Sequence, residues 1–133
     1  MKRNRNESLH WNLKKKFMAS FQVDFVDRFV KEEYLPVKKI GRGLRGILWE
    51  GKSLKSQIVS DVAIKRIFNA FSNREDAKRT YREVLYSIKF SDHPNIISVH
   101  DVFASANDMD VYLVMDKIDT DLSSVISSMI ERN

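Results

Sequence analysis

The chain has 133 residues, enough for one domain with a modest core. Its 43% hydrophobic and 11% aromatic content excludes a disordered chain, and zero cysteines exclude disulfides and thiolate metal sites. No apolar run approaches the roughly 18 residues a membrane helix needs.

The formal charge of +5 is concentrated in residues 1–16, where Lys2, Arg3, Arg5, Lys14, Lys15 and Lys16 face only Glu7. A basic flexible tail is the plain reading of that block. A nuclear-import or polyanion-contacting arm is the sharper one. Nothing after residue 16 supports a dedicated nucleic-acid domain, so neither nucleic acid nor membrane is an expected partner. Met1-Lys2-Arg3-Asn4-Arg5 lacks the apolar stretch of a secretory signal, and the expected location is cytoplasmic or nuclear.

From Phe17 to Tyr34, Phe21, Val23 and Phe25 alternate with Gln22 and Asp24, and the pattern predicts a short hairpin. Tyr34 to Ile40 reads as a strand entering Gly41-Arg42-Gly43-Leu44-Arg45-Gly46, and Ile47-Leu48-Trp49 as a strand leaving it. A polar turn then leads to Val62-Ala63-Ile64, a β-prone run that delivers Lys65. Ser72-x-x-Glu75 reads as a capping box opening a long helix, with Ala77, Tyr81, Val84, Leu85 and Ile88 as its apolar face. Asp92-His93-Pro94-Asn95 ends it. Strands are predicted over Ile96–Phe103 and Val111–Met115, and Leu122, Val125, Ile126, Met129 and Ile130 give a last helix.

The spacing G-x-G-x-x-G also occurs in dinucleotide sites, where the loop opens into a helix. Here β-prone residues follow, so strand, glycine loop, strand is the better fit; glycines that merely close a tight hairpin are the plain alternative. In a phosphate-covering hairpin, missing side chains let amide N–H groups approach the ligand. Lys65 could be a snorkelling edge lysine, and Glu83 a solvent-facing helix glutamate. Together, in this order, the loop, Lys65 and Glu83 make the upper half of a kinase-type ATP site.

Several segments carry a resemblance: Val62-Ala63-Ile64-Lys65, Ala77 through Glu83, His93-Pro94-Asn95-Ile96-Ile97, Val111-Tyr112-Leu113-Val114, Phe68-Asn69-Ala70-Phe71 and Asp119-Thr120-Asp121-Leu122. As a set, over about residues 21–127, they resemble the amino-terminal lobe of a mitogen-activated protein kinase. Gly46-Ile47-Leu48-Trp49 and Asn107-Asp108-Met109-Asp110 lean towards the atypical extracellular-signal-regulated kinases. The resemblance implies an α+β fold: a twisted five-stranded antiparallel sheet, one long packed helix, an N-terminal hairpin and a C-terminal helix. It divides the chain into a tail (1–16), an ATP-binding lobe (17–118) and the start of a second lobe (119–133).

The resemblance also implies roles. Gly41, Gly43 and Gly46 would cover the phosphates of ATP, Leu48 and Ala63 would sandwich the adenine, and Lys65 would pair with Glu83. Met115 would be the gatekeeper, and backbone groups of Asp116 and Ile118 would bind the adenine edge from the hinge. Asp121 would contact the ribose, or serve as a first-turn helix carboxylate. Arg45, Leu48 and Ser87 depart from the family pattern; a serine at 87 leaves less apolar contact to hold the helix.

Phosphoryl transfer in such kinases needs an aspartate to orient the acceptor hydroxyl and an Asp–Asn pair to hold magnesium. None of His10, His93 and His100 is followed by Arg-Asp, and Asp24-Phe25 lies far upstream of where a metal-binding Asp-Phe-Gly belongs. The expectation is an ATP-binding lobe with no catalytic aspartate and no metal ligands of its own, incapable of catalysis alone. Its partners would be ATP and kinase-pathway proteins, and a pseudokinase-like regulatory fragment is the alternative. The apolar stripe from Leu122 to Ile130 would lack a partner domain and favour association.

Overall fold

A computed structural model describes residues 24–55, 57 and 60–132. Its sheet contains β1 (Tyr34–Arg42), β2 (Gly46–Ser53), β3 (Ser60–Ile67), β4 (Val99–Ala104) and β5 (Val111–Asp116). They lie in the order β1-β2-β3-β5-β4, and every neighbouring pair is antiparallel. The helices are α1 (Arg28–Lys31), α2 (Arg74–Lys89) and α3 (Leu122–Ile130). This is the five-stranded α+β lobe that the resemblance implies.

The pleat sends successive side chains to opposite faces, so β3 serves two layers at once. Val62 and Ile64 face the back of the sheet, in a cluster with Trp49, Ile47, Tyr112, Val114, Phe68, Tyr34, Val26 and Val30. Ile67 joins Leu113, Val111 and Ala70 in a second cluster on the front, against which Val84 of α2, Val99 and Met115 pack.

Several expectations about local structure need correction. No hairpin forms where Phe29 and Val30 lie: Arg28–Lys31 is one helical turn, α1. Val26 and Val30, four residues apart, are both buried in the back cluster, a helical spacing that outweighs the upstream alternation. The part of the expected hairpin over residues 17–23, like the basic tail, lies outside the described residues. The cap of α2 is Asn73, not Ser72: Asn73 is extended and its side chain accepts from the Asp76 N–H. The Ser72 hydroxyl instead donates to the Asp76 carboxylate at 2.7 Å and, as the leading cause, holds its pKa below the usual range.

The helix ends at Lys89, ahead of Pro94, and Phe90 closes it by donating to the Ile88 and Tyr86 carbonyls. Of its expected apolar face, Val84 packs inward, whereas Tyr81, Leu85 and Ile88 are exposed. The buried contact of α2 is Thr80, whose hydroxyl donates to the Ala70 carbonyl at 2.8 Å. β4 begins at Val99, not Ile96, because Ile96 closes a turn onto the His93 carbonyl. α3 forms where its period predicts, with Leu122, Ile126, Met129 and Ile130 exposed. Among the described residues, no helix is long and apolar enough to cross a membrane.

Candidate functional site

The register of the sheet arranges the front face in rows. Leu48, Lys65 and Leu113 are cross-strand partners in one row; Glu50, Ala63 and Met115 form the next. Directly opposed residues project to the same side. Leu48, Ala63, Lys65 and Met115, singled out from widely separated stretches of sequence, therefore share one face.

α2 lies over that face, and the Lys65 ammonium donates to the Glu83 carboxylate. Each side chain is 38% exposed, so the pair is open to solvent. The pair answers both plain alternatives: Lys65 is not a snorkelling edge residue, and Glu83 does not point into bulk water. Ser87, one turn further along α2, is only partly buried, and its carbonyl accepts from the Ser91 hydroxyl at 2.7 Å.

Above this pair the chain turns back through Gly43, Leu44 and Arg45, between β1 and β2. The Gly43 N–H donates to the Gly46 carbonyl at 2.8 Å, and the Phe68 N–H to the Arg45 carbonyl at 2.7 Å. The three glycines differ in what the fold asks of them. A Cβ on Gly46 would stand 2.2 Å from the Arg66 carbonyl oxygen, so strand packing requires glycine there. A Cβ on Gly41 would make ordinary contact with Leu48 at 3.8 Å, and one on Gly43 would meet nothing within 4 Å. Neither has a positive φ. The fold itself leaves room for a side chain at both.

At the other end of the face, β5 runs out into an extended connection to α3. The Asp116 N–H donates to the Ser98 carbonyl at 3.0 Å, and its carboxylate accepts from the Ser98 N–H at 3.2 Å and contacts His100 Nε2 at 2.7 Å. Ile118 is exposed in the connection. Asp121 is the N-cap of α3, accepting from the Ser124 N–H at 2.8 Å and the Ser124 hydroxyl at 2.9 Å. Those bonds, the backbone one first, keep its carboxyl below the usual range. Asp121 is therefore the cap just ahead of α3, one position before the first turn in which the sequence alternative places its carboxylate.

Sequence reasoning missed the polar centre of the back face. Arg66 forks onto Asp110 at 2.8 Å from both Nε and a terminal nitrogen, with side chains only 6% and 1% exposed. The Asn69 N–H and the Asn107 side chain also donate to Asp110, and Arg66 lies over the rings of Phe25, Phe68 and Tyr112. The available signal was Arg66 in alternation with Val62 and Ile64, on the apolar face of its strand, where a charge demands a buried anion. Also missed was a cavity of about 230 Å³ lined by Tyr34, Ser53, Lys55, Ser60, Val62, His100 and Asp101, away from the Lys65–Glu83 pair. There Lys55 bridges Asp101 and Glu33, and Tyr34 donates to Asp101.

A strand lysine held by a helix carboxylate beneath a glycine-turned hairpin, on a five-stranded sheet that ends in an extended hinge, defines the amino-terminal lobe of a protein kinase. The chain is 46% identical over 101 residues to mitogen-activated protein kinase 15 of Rattus norvegicus, a match covering 76% of this chain and 18% of the rat protein. It is 40% identical over 105 residues to extracellular signal-regulated kinase 2 of Dictyostelium discoideum (79% of this chain, 28% of that protein). Against mitogen-activated protein kinase 7 of Arabidopsis thaliana it is 42% identical over 102 residues, covering 74% and 27%. No protein-family model matches the chain. Over about three quarters of its length the chain is thus similar to mitogen-activated protein kinases, on the side of the atypical extracellular-signal-regulated kinases, and its fold is that of a kinase-like amino-terminal lobe. It spans between about a fifth and about a quarter of the length of these relatives.

Proposed function

We propose that this chain binds Mg-ATP on the front face of its sheet, as the nucleotide-binding lobe of a Ser/Thr protein kinase acting in the cytoplasm or nucleus. The ion pair between Lys65 and Glu83 carries the reading. A carboxylate on α2 holds the ammonium where the α and β phosphates would lie, and its exposure leaves the ammonium accessible to them. Gly41 and Gly43 support the same reading. The fold does not need glycine at either position, whereas a hairpin whose backbone must approach a triphosphate does.

Leu48 and Ala63, in adjoining rows, would hold the adenine; Met115 would close the pocket behind it, and backbone groups of Asp116 and Ile118 would meet its edge. Gly46 would complete the cover over the phosphates. Asp121 already caps α3, so contact with the ribose would use carboxylate capacity left beside its bonds to Ser124. Magnesium would arrive with the nucleotide and neutralise phosphate charge. The residues that would orient an acceptor hydroxyl and hold the metal for transfer are not among these 133. The chain by itself is expected to bind nucleotide without transferring phosphate at a useful rate.

Titration calorimetry with Mg-ATP, on the chain and on Lys65→Met, tests this. Saturable binding is expected, weakened at least about tenfold in the variant; equal binding by both, or none by either, overturns the reading. The exposed Tyr81, Leu85 and Ile88 on α2 favour a second reading, a non-catalytic fragment that binds kinase-pathway proteins. Capture of such proteins by a chain with no affinity for Mg-ATP would support it instead.

A further inference from the structure

After Asp116 the β ladder stops, and the connection to α3 leaves the sheet. Lys117 ties that connection back: its ammonium lies 3.1 Å from the Glu50 carboxylate on β2, and both side chains are partly buried, at 23% and 26% exposed. Among the described residues, the other carboxylate in its ion-pair range is Asp119, which stands at 4.0 Å and is almost wholly exposed. One row further along the front face, Lys52 pairs with Asp61, so Lys117 sits at the edge of a charged cluster joining β2, β3 and the hinge. Glu50, first among the surrounding anions, raises the Lys117 pKa and keeps the ammonium charged.

Glu50 occupies the same row as Ala63 and Met115. Its partner Lys117 stands between Asp116 and Ile118. The pair therefore spans from the floor of the adenine subsite to the backbone segment that would read the adenine edge.

We infer that the Glu50–Lys117 ion pair is a strap that sets the distance and angle between β2 and the hinge, and so positions the adenine subsite separately from the phosphate subsite at Lys65. The inference rests on the Mg-ATP reading above and deepens it. Glu50 and Lys117 are positioning residues: neither needs to touch the nucleotide. A partly buried pair offsets its desolvation when its geometry is fixed, and here each end starts beside residues that the adenine would contact, Glu50 opposite Ala63 and Lys117 between Asp116 and Ile118.

The strap makes a split prediction. Glu50→Lys or Lys117→Glu puts like charges together and frees the hinge, weakening Mg-ATP about fivefold or more. Tripolyphosphate, which has no adenine, should bind within about twofold of the unchanged chain, because Lys65 lies in a different row and Glu83 on α2. The charge-swapped double variant, Glu50→Lys with Lys117→Glu, should recover most of the ATP affinity.

The test is titration of the whole chain and these three variants with Mg-ATP and with tripolyphosphate. Hydrogen exchange at the Ile118 and Asp119 amides of the ligand-free proteins accompanies it. Loss confined to ATP, recovery in the double variant, and faster hinge exchange in the single variants alone support the strap. Unchanged ATP affinity in the single variants overturns it, as does equal loss of both probes or no recovery on swapping. If the unchanged chain binds neither probe, the ATP reading itself falls, and hinge exchange decides the strap: equal rates in all four proteins overturn it.

Discussion

Lys65 and Arg66 are neighbours on β3, yet the pleat gives them opposite uses. Arg66 faces the back, forked onto Asp110 under three aromatic rings, with every donor around Asp110 drawn from this chain. Lys65 faces the front, holding one carboxylate and still open to solvent. A charge that is buried must be matched inside the fold, and once matched it locks the elements that match it. A charge left half-exposed costs little in the empty state and keeps its capacity for a ligand. The back face is where this lobe spends polar groups on its own structure, and the front is where it keeps them available.

Asp110→Ala should be the most damaging single change on the back face. It leaves the Arg66 guanidinium buried without its anion and the Asn69 N–H without its acceptor. The expected loss is about 3–5 kcal/mol in a urea titration. Replacing both partners, with Arg66→Met and Asp110→Leu, should cost less than Asp110→Ala alone. A double variant no better than the single one would break the contrast.

Alkaline pH probes the same face. Burial foremost pushes Tyr112 up to about 12, and burial with the Asp101 carboxylate pushes Tyr34 up to about 12, against an ordinary value of 10.0. The folded state therefore holds these protons more tightly than the unfolded chain does. Their contribution is whole below pH 10 and is lost as pH rises through 10 to 12. Stability measured by urea should fall across that window, and less steeply in Tyr112→Phe; equal slopes would contradict the assignment.

The glycines sharpen the comparison further. Gly46→Ala drives a methyl into the Arg66 carbonyl and should cost about 1–3 kcal/mol of stability. Gly43→Ala meets open space and should change stability by no more than about 0.5 kcal/mol, while weakening Mg-ATP. Thermal melts with and without nucleotide separate the two. Lys65→Met in the empty state should also cost little, about 1 kcal/mol or less, because an ion pair this exposed adds little to folding.

Much of the front face was legible in the sequence because strands and a capped helix carry their period with them. Val62-Ala63-Ile64 marked the strand that carries Lys65, which runs on to Ile67, and Glu83 fell on a helix whose cap was misplaced by a single residue. The back face was less legible, because Arg66 and Asp110 are 44 residues apart and nothing local in either stretch names the other. α1 was misread for a related reason. One helical turn is too short for its period to compete with the alternation before it, and burial of Val26 and Val30 is settled by the sheet beneath them. The exposed side of α2 reads as apolar in sequence, and periodicity alone does not say whether an apolar face is covered.

The central claim, that the front face binds the nucleotide while the back face only supports it, is tested most directly by an amide NMR titration of the whole chain with Mg-ATP. Shifts should concentrate at Gly41–Gly46, Lys65, Glu83 and Met115–Ile118, with Val26, Val30 and Asp110 unmoved. Shifts centred on the back face, or on the basic residues 1–16, would contradict it.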